Sequence, residues 1–270
     1  MREPIEIKLS TWIENVQSKG KNAFSLTLLH SELTNYSHTA IKSALNRLTK
    51  KGTIVSIHKG FYLVIPPQYK TKGILPPTLY LDALMKELNR PYYLALLNAA
   101  AYHGASHQQP QEFFVVTSFP VLRPTLKKGL KVSYISKKEL PDKLLESKKT
   151  EAGYLKISNP ILTATDLIQF EKRVGGLNRV ATVLSELMEV IKPQHFDTSL
   201  LNSTPKSTLQ RLGYLLQNVL HNTVLADALY NSLKTEKLFR IPLKAASPTK
   251  GFSADGKWKV IVNTQVEIDD

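Results

Sequence analysis

The sequence predicts an α+β protein in two parts, a small basic N-terminal domain and a larger mixed α/β C-terminal domain. The chain of 270 residues is 42% hydrophobic, enough for a sizeable core, and its length favours two domains over one. Residues 1–75 contain eleven Lys or Arg against four Glu, a higher positive charge per residue than in the remainder. A segment rich in proline and glycine follows at 67–78, and we expect it to be the linker.

The bulk composition restricts the classes of protein and of partner. A net charge of +14 favours polyanionic partners. The absence of cysteine excludes disulfides and thiolate chemistry, and we expect no metal or other cofactor. No apolar run is long enough to span a membrane, and the first ten residues lack the apolar segment of a signal peptide. We therefore expect a soluble cytoplasmic protein without membrane contact.

Three helices are predicted in the N-terminal domain. Apolar residues recur at helical spacing over 9–16, and Gly20 follows where a C-terminal cap would lie. Ser25 can cap a short second helix, and Ser37 begins a third after a turn. The third helix has one apolar stripe, as expected of a helix that packs against two others, formed by Ile41, Ala44, Leu45 and Leu48.

A β-hairpin is predicted directly after the third helix. Gly52 ends that helix, and the β-prone runs Thr53–Ile57 and Phe61–Ile65 are separated by three residues that end in Gly60. The order of helix, short helix, turn, helix and hairpin is typical of a winged helix-turn-helix, which we assign to residues 1–66. In such a domain the third helix enters the major groove of DNA and the hairpin contacts the backbone beside it.

The charge of this segment supports a DNA-binding role. No carboxylate side chain occurs between Glu32 and Asp82. Because a duplex carries about one negative charge per 1.7 Å of its axis, an acidic side chain on the docking face would be repelled. Small polar residues can reach base edges and lysines can neutralise phosphates. A module used only for protein contacts is the alternative. The predicted DNA-binding residues are Ser37, His38, Thr39, Lys42, Ser43, Asn46, Arg47, Lys50, Lys51, His58 and Lys59.

Residues 79–270 are predicted to form a mixed α+β domain. Helical and strand-like patterns alternate, which gives the class but not the topology. Helices are expected from Leu79 through LYLDALMKEL and over 92–102, 165–173, 177–190 and 208–219; strands are expected at 112–117, 132–135, 153–157 and in the closing KWKVIVN.

A second basic patch is predicted at Arg123, Lys127, Lys128 and Lys131. Residues 119–156 contain ten basic and four acidic positions. A solvated face and a second polyanion-binding face are both consistent with this excess.

Candidate catalytic patterns are weak throughout the sequence. His103 and His107 have the spacing of two metal ligands, but Gly104 lies between them and a helix end with a buried or capping histidine explains the pattern better. Asp142 and Glu146 superficially resemble a nuclease site, but a charged amphipathic helix explains KELPDKLLESKK completely and is preferred. The Gly175-Gly176 pair lacks the spacing of a phosphate loop and is interpreted as a break between helices. We predict no catalytic residue.

Taken together, the sequence resembles the AbiEi antitoxins, the transcriptional-regulator half of a bacterial abortive-infection toxin–antitoxin pair. The N-terminal resemblance lies in LNRLTKKGTIVSIHKGFYLVIPP. The C-terminal resemblance lies in four stretches in the expected order: YYLALLNAAAYHGASHQQPQEFFVVT, GGLNRVATVLSEL, QRLGYLL and WKVIVN.

This resemblance implies a function that the residue patterns alone do not give. It implies binding to inverted repeats in the promoter of the protein's own operon, repression of that operon, and an antitoxic C-terminal domain that assists DNA binding. It also implies a nucleotidyltransferase-like toxin, counteracted without a stable direct complex, and a role in phage defence. Tyr92, Tyr93, His103 and Gln109 would be core or surface-shaping residues. His38-Thr39 departs from the family pattern. The alternative is an enzyme, a nuclease or nucleotidyltransferase targeted by the winged helix.

Overall fold

The computed structural model describes residues 8–105, 110 and 112–268. Within these residues the chain has ten α-helices and eleven mostly short strands, which confirms the predicted mixed α+β class. It divides into two compact units. The first contains residues 8–92, 112–136 and 147–156, and the second contains 93–105, 110, 137–146 and 157–268.

The first unit begins with three helices and a three-stranded antiparallel sheet. The strand order is β1-β3-β2, so the short first strand adds to the hairpin. The predicted helices and hairpin are all present, whereas β1 was not predicted. The elements are α1 (Leu9–Ser18), β1 (Ala23–Ser25), α2 (Leu26–Glu32), α3 (His38–Lys50), β2 (Ile54–His58) and β3 (Phe61–Val64).

Serine caps fix the start of two of these helices. The hydroxyl of Ser25 accepts a hydrogen bond from the Leu28 amide at 3.1 Å, and that of Ser37 accepts one from the Ala40 amide at 3.2 Å. Each cap satisfies an amide that has no partner inside its helix. At the other end of α3, Gly52 adopts a φ of 69°, which favours glycine.

The N-terminal core is built on aromatic contacts. Trp12 of α1 meets Phe24 edge-on at 5.2 Å between ring centroids, and Phe24 stacks on Tyr62 at 5.4 Å. Ile41 and Leu45 of α3 are buried in the same cluster. The indole nitrogen of Trp12 also donates to the Glu32 carboxylate at 2.7 Å, which joins α1 to the end of α2.

The segment 67–78, interpreted above as a linker, is partly folded onto the hairpin. It contains short 3-10 turns at Pro67–Tyr69 and from Pro77, and Ile74 and Leu75 are buried. These two residues share a core cluster with Phe61 and Leu63 of the hairpin. The compact units therefore do not divide at this segment, and the assignment of 1–66 as a separate domain stays a prediction.

A helix and a six-stranded sheet follow. The sheet has the order β6-β7-β5-β4-β9-β8, with β6 and β7 antiparallel and β4 and β9 parallel. The strands predicted at 112–117, 132–135 and 153–157 all belong to it. The elements are α4 (Leu81–Glu87), β4 (Tyr92–Leu94), β5 (Glu112–Ser118), β6 (Thr125–Lys127), β7 (Leu130–Lys137), β8 (Leu145–Thr150) and β9 (Gly153–Ser158).

Two sequence-based assignments in this region are wrong. The predicted amphipathic helix in KELPDKLLESKK is a 3-10 turn at Asp142–Leu144 followed by β8. Pro141 interrupts any helix there. The charged residues that follow form strand β8, which hydrogen-bonds to β9. The apolar run predicted as a helix over 92–102 starts as β4 and is helical only from Leu96.

Six helices form the second unit. Helix α6 is its centre, because every residue from Ile161 to Ile168 is buried and α5, α7 and α9 all pack against it. Asn159 caps α6 by accepting from the Leu162 amide at 3.0 Å. The helices are α5 (Leu96–Tyr102), α6 (Pro160–Gln169), α7 (Leu177–Leu187), α8 (Thr198–Ser203), α9 (Lys206–Asn218) and α10 (Thr223–Ser232); α8 and α10 were not predicted.

The C-terminal segment lies along α9. Its strands β10 (Ile241–Pro242) and β11 (Val260–Ile261) pair in parallel, and β11 is the central part of the predicted closing strand. The Gln210 side chain donates to the carbonyl oxygens of Phe239 and Trp258 at 2.8 and 2.7 Å. The Trp258 indole donates to Gln217 at 3.0 Å. None of the helices in the described ranges is both long and apolar enough to cross a membrane.

Candidate nucleic-acid interface

Helix α3 has a buried face and an exposed basic face. Ile41 and Leu45 hold it against the N-terminal core and are at most 3% exposed. The residues predicted to contact DNA on this helix lie on its exposed side. Because 39, 43, 46 and 50 follow helical spacing, Thr39, Ser43, Asn46 and Lys50 share one stripe of that side.

The positive charge of this face has no acidic partner among the described residues. Across the residues that the structure describes, five cations have no carboxylate within ion-pairing distance: Lys42, Arg47, Lys50, Lys51 and Lys59. All five side chains belong to exposed residues. An exposed, uncompensated cluster of one sign attracts a polyanion and is typical of phosphate-binding surfaces.

The hairpin tip is held beside α2. The Leu26 amide donates to the Gly60 carbonyl oxygen at 2.7 Å, and Gly60 has a φ of 75°. Next to it, an imidazole nitrogen of His58 lies 3.2 Å from the Lys59 carbonyl oxygen, so this ring is engaged with the hairpin backbone. The contact leaves the Lys59 ammonium exposed at the tip.

A pocket of about 390 Å³ brings four of the predicted residues together. It opens between α2, α3 and the hairpin, with apolar side chains that include Leu26, Ile41 and Tyr62. The predicted residues in its lining are His38, Lys42, Asn46 and Lys59; those outside it are Ser37, Thr39, Ser43, Arg47, Lys50, Lys51 and His58. Ser37 serves as the cap of α3, so its hydroxyl has a structural partner.

The pocket lining also contains His30, which was not among the predicted DNA-binding residues. The Nδ1 atom of His38 lies 3.2 Å from Nε2 of His30, and the ring centroids are 4.3 Å apart. The two residues come from different helices. Their eight-residue separation gave no signal, because their contact depends on how α2 packs against α3.

The second basic patch also lies in the first unit. Arg123, Lys127, Lys128 and Lys131 are all exposed, and β6 packs beside β2. Lys128 and Gly129 form the turn between β6 and β7, both with positive φ. Lys131 differs from the other three because its ammonium pairs with Glu112 at 3.0 Å. That ion pair lowers the net charge of the patch relative to the prediction.

A buried polar cluster in the second unit involves residues with no role assigned from sequence. The Lys137 ammonium lies 2.6 Å from Oδ1 of Asp166, and the Tyr93 hydroxyl donates to Oδ2 at 2.8 Å. Burial raises the pKa of Asp166, and Lys137 and Tyr93 oppose that rise. Burial also raises the pKa of Tyr93, and the neighbouring Asp166 adds to the effect. The cluster joins α6 to β4 and β7.

The weak catalytic candidates do not assemble into a site. His103 is the C-cap residue of α5, and its Nε2 atom lies 2.7 Å from the carbonyl oxygen of Ser158 at the end of β9. His107 and Gln109 lie outside the described residues. Over the described ranges no group of three or more His, Asp or Glu side chains could hold a metal ion. Asp142 and Glu146 are separated between a 3-10 turn and β8.

The fold thus defines an α+β protein with a basic, acid-free N-terminal face. Residues 93–218 match the family model of the AbiEi antitoxin C-terminal domain. The match confirms the resemblance given by the sequence over that range. It covers the first of the four C-terminal stretches from Tyr93 onward and the next two in full, and it ends before WKVIVN.

A solved structure supports the fold. The RV2827C protein from Mycobacterium tuberculosis aligns with a TM-score of 0.66 at 19% identity, over 96% of this chain and 92% of that one. At this identity the likeness shows the fold alone. An antigenic nucleotidyltransferase-like protein from Paracoccidioides brasiliensis aligns at 12% identity over 56% of this chain and 89% of that one. Its TM-score of 0.33 is too low to carry an argument. No curated protein matches the sequence.

Proposed function

We propose that this chain is the antitoxin of a type IV toxin–antitoxin pair and that it also represses its own operon by binding DNA. The AbiEi domain at 93–218 supports the antitoxin role. The observation that carries the DNA-binding role is the exposed basic face of α3 and the hairpin, where five cations have no acidic partner among the described residues.

In this proposal residues 1–66 act as a winged helix-turn-helix, residues 67–78 connect them to the rest, and residues 79–270 form the antitoxin domain. Helix α3 enters the major groove and the hairpin tip lies against the backbone. The burial of Ile41 and Leu45 supports this orientation, because it fixes which side of α3 remains available. The operator would consist of inverted repeats in the operon's promoter.

The exposed residues divide by the chemistry that they offer to a duplex. Thr39, Ser43 and Asn46 can bond to base edges, and Arg47 has the fork geometry that recognises guanine. The lysines at 42, 50, 51 and 59 neutralise phosphates without reading sequence. The exposed cations of the second basic patch add a further backbone contact in the same unit.

The proposed partner in antitoxicity is a nucleotidyltransferase-like toxin in the cytoplasm, opposed without a stable complex. The antitoxin family match supports a regulator over the alternative of a targeted enzyme. No observation on the described residues favours the nuclease, because Asp142 and Glu146 lie on separate elements.

The function is tested by binding and by rescue. In gel shifts, the protein should prefer the DNA upstream of its own gene over a shuffled duplex of equal length. Co-expression with the adjacent gene should relieve growth arrest that the adjacent gene causes alone. Equal affinity for both duplexes would refute the repressor role, and an absence of rescue would refute the antitoxin role.

A further inference from the structure

The pocket between α2, α3 and the hairpin has the lining of an anion site. Its lining combines apolar side chains with His30, His38, Lys42 and Lys59, and the described residues of the lining include no carboxylate. Its volume of about 390 Å³ is within the range of about 300–1,000 Å³ found for small-ligand sites. A ligand that fits this lining carries negative charge and is small enough to reach between three elements.

The contact between His30 and His38 limits the total positive charge that the two rings can carry. A hydrogen bond between Nδ1 of His38 and Nε2 of His30 requires one nitrogen to donate and the other to accept. The accepting ring is therefore neutral, and the pair carries at most one positive charge. A second proton can bind only when the rings separate and each nitrogen finds another acceptor.

Other charged groups near the pair do not supply that acceptor. Lys42 faces the pair from α3 and Lys59 from the hairpin, and both favour an anion. His58 is engaged with the Lys59 carbonyl oxygen. On α2, Glu32 accepts a hydrogen bond from the Trp12 indole. No carboxylate of the pocket lining supplies an acceptor, and a bound anion can supply one.

We propose that this pocket binds a phosphodiester group of the DNA backbone. The phosphate is held by Lys42, Lys59 and the rings of His30 and His38, each protonated on both nitrogens. The inference rests on the proposed DNA-binding function. When a phosphate enters, each imidazole N–H turns from the other ring to a phosphate oxygen, and the pair takes up a proton. Histidine is the side chain whose charge changes between pH 5 and 8, so proton uptake makes DNA binding stronger at lower pH.

The test compares duplex affinity at pH 6.0 and pH 8.0 at fixed ionic strength. A phosphodiester keeps one negative charge across this range, so the pH effect reports on the protein. We expect affinity roughly tenfold higher at pH 6.0, for operator and shuffled duplexes alike, because phosphate contacts do not read sequence. His30→Gln should reduce the ratio to about twofold or less, whereas the control His221→Gln, in the second unit, should keep it.

A second variant distinguishes the effect of a fixed lysine charge from the effect of histidine protonation. Lys42→Gln should weaken binding at both pH values and leave their ratio unchanged, because a lysine stays charged throughout. Circular dichroism spectra that match the unsubstituted protein would show that each variant folds. An unchanged pH ratio in folded His30→Gln would overturn the proposal and leave the proposed DNA-binding function intact.

A small probe tests the site without a duplex. Thymidylyl-(3′,5′)-thymidine contains one phosphodiester, and at pH 6.0 it should shift the imidazole NMR signals of His30 and His38. Shifts in these signals without any operator preference would support the pocket and refute the repressor role. Unshifted signals at saturating probe, with operator preference retained, would refute the pocket alone.

Discussion

The ammonium of Lys137 lies 2.6 Å from the carboxylate of Asp166, inside the second unit, where only 1% of the Asp166 side chain is exposed. The Tyr93 hydroxyl bonds to the other carboxylate oxygen. Removing one partner of a buried ion pair leaves an uncompensated charge and costs about 3–5 kcal/mol. Asp166→Asn should therefore lower the free energy of unfolding by about that amount, measured by urea denaturation.

The matched control for this change is Asp227→Asn. Asp227 pairs with Lys257 at 2.7 Å, but its side chain is 66% exposed. An exposed pair contributes about 0–1 kcal/mol, so the control should unfold at nearly the original urea concentration. Equal losses in the two variants would contradict a structural role for the buried pair.

Packing of Trp258 on α9 requires a glycine at position 213. A Cβ atom there would lie 2.0 Å from the Trp258 ring, which is fully buried. Overpacking a core costs about 1–3 kcal/mol, so Gly213→Ala should lower the thermal midpoint by several degrees. Gly256→Ala is the control, because no atom lies within 4 Å of its added Cβ. Equal thermal midpoints for Gly213→Ala and Gly256→Ala would contradict this packing requirement.

Ser37 and Ser43 were both predicted to contact DNA, and the structure separates their roles. The Ser37 hydroxyl caps α3. Ser37→Ala should cost about 1 kcal/mol of stability. Ser43→Ala, in the exposed middle of the helix, should leave stability unchanged or slightly higher because alanine is a better helix former. Urea denaturation measures both, and a destabilised Ser43→Ala would contradict this division.

Arg47 is expected to read a base. If it forms a bidentate bond to guanine, Arg47→Ala should cost about 1–3 kcal/mol at a single operator position and relax selectivity there. Competition binding with single-base operator variants gives this profile. A uniform loss across all sequences would assign Arg47 to the backbone.

Local signals explain why much of the N-terminal fold was predictable. Ser25 and Ser37 marked helix starts because their hydroxyls bond amides three residues further along the chain. Gly52 and Gly60 marked a helix end and a hairpin because their own backbone adopts a positive φ. Strand β1 was missed because its three residues are a strand only through pairing with β3. A short element defined by a distant partner leaves little local pattern.

Long-range pairing also explains the errors farther along. Residues 92–94 are an apolar run that fits a buried strand or a helix equally well. They form a strand because they pair in parallel with β9. Strand β8 carries charges that resemble an exposed helix. For the candidate interface, the exposed face of α3 was predictable from its periodicity. The His30–His38 contact was not, because it depends on helix packing.

The central claim is that the four lysines at 42, 50, 51 and 59 bind DNA phosphates. The most direct test is operator affinity as a function of salt concentration. If all four lysines contact phosphates, log affinity should fall with log salt at a slope of about −3.6. Lys50→Ala and Lys59→Ala should each flatten it by about one unit. The control Lys234→Ala, exposed after α10, should not change it. A slope near zero, or one that neither variant changes, would contradict the claim.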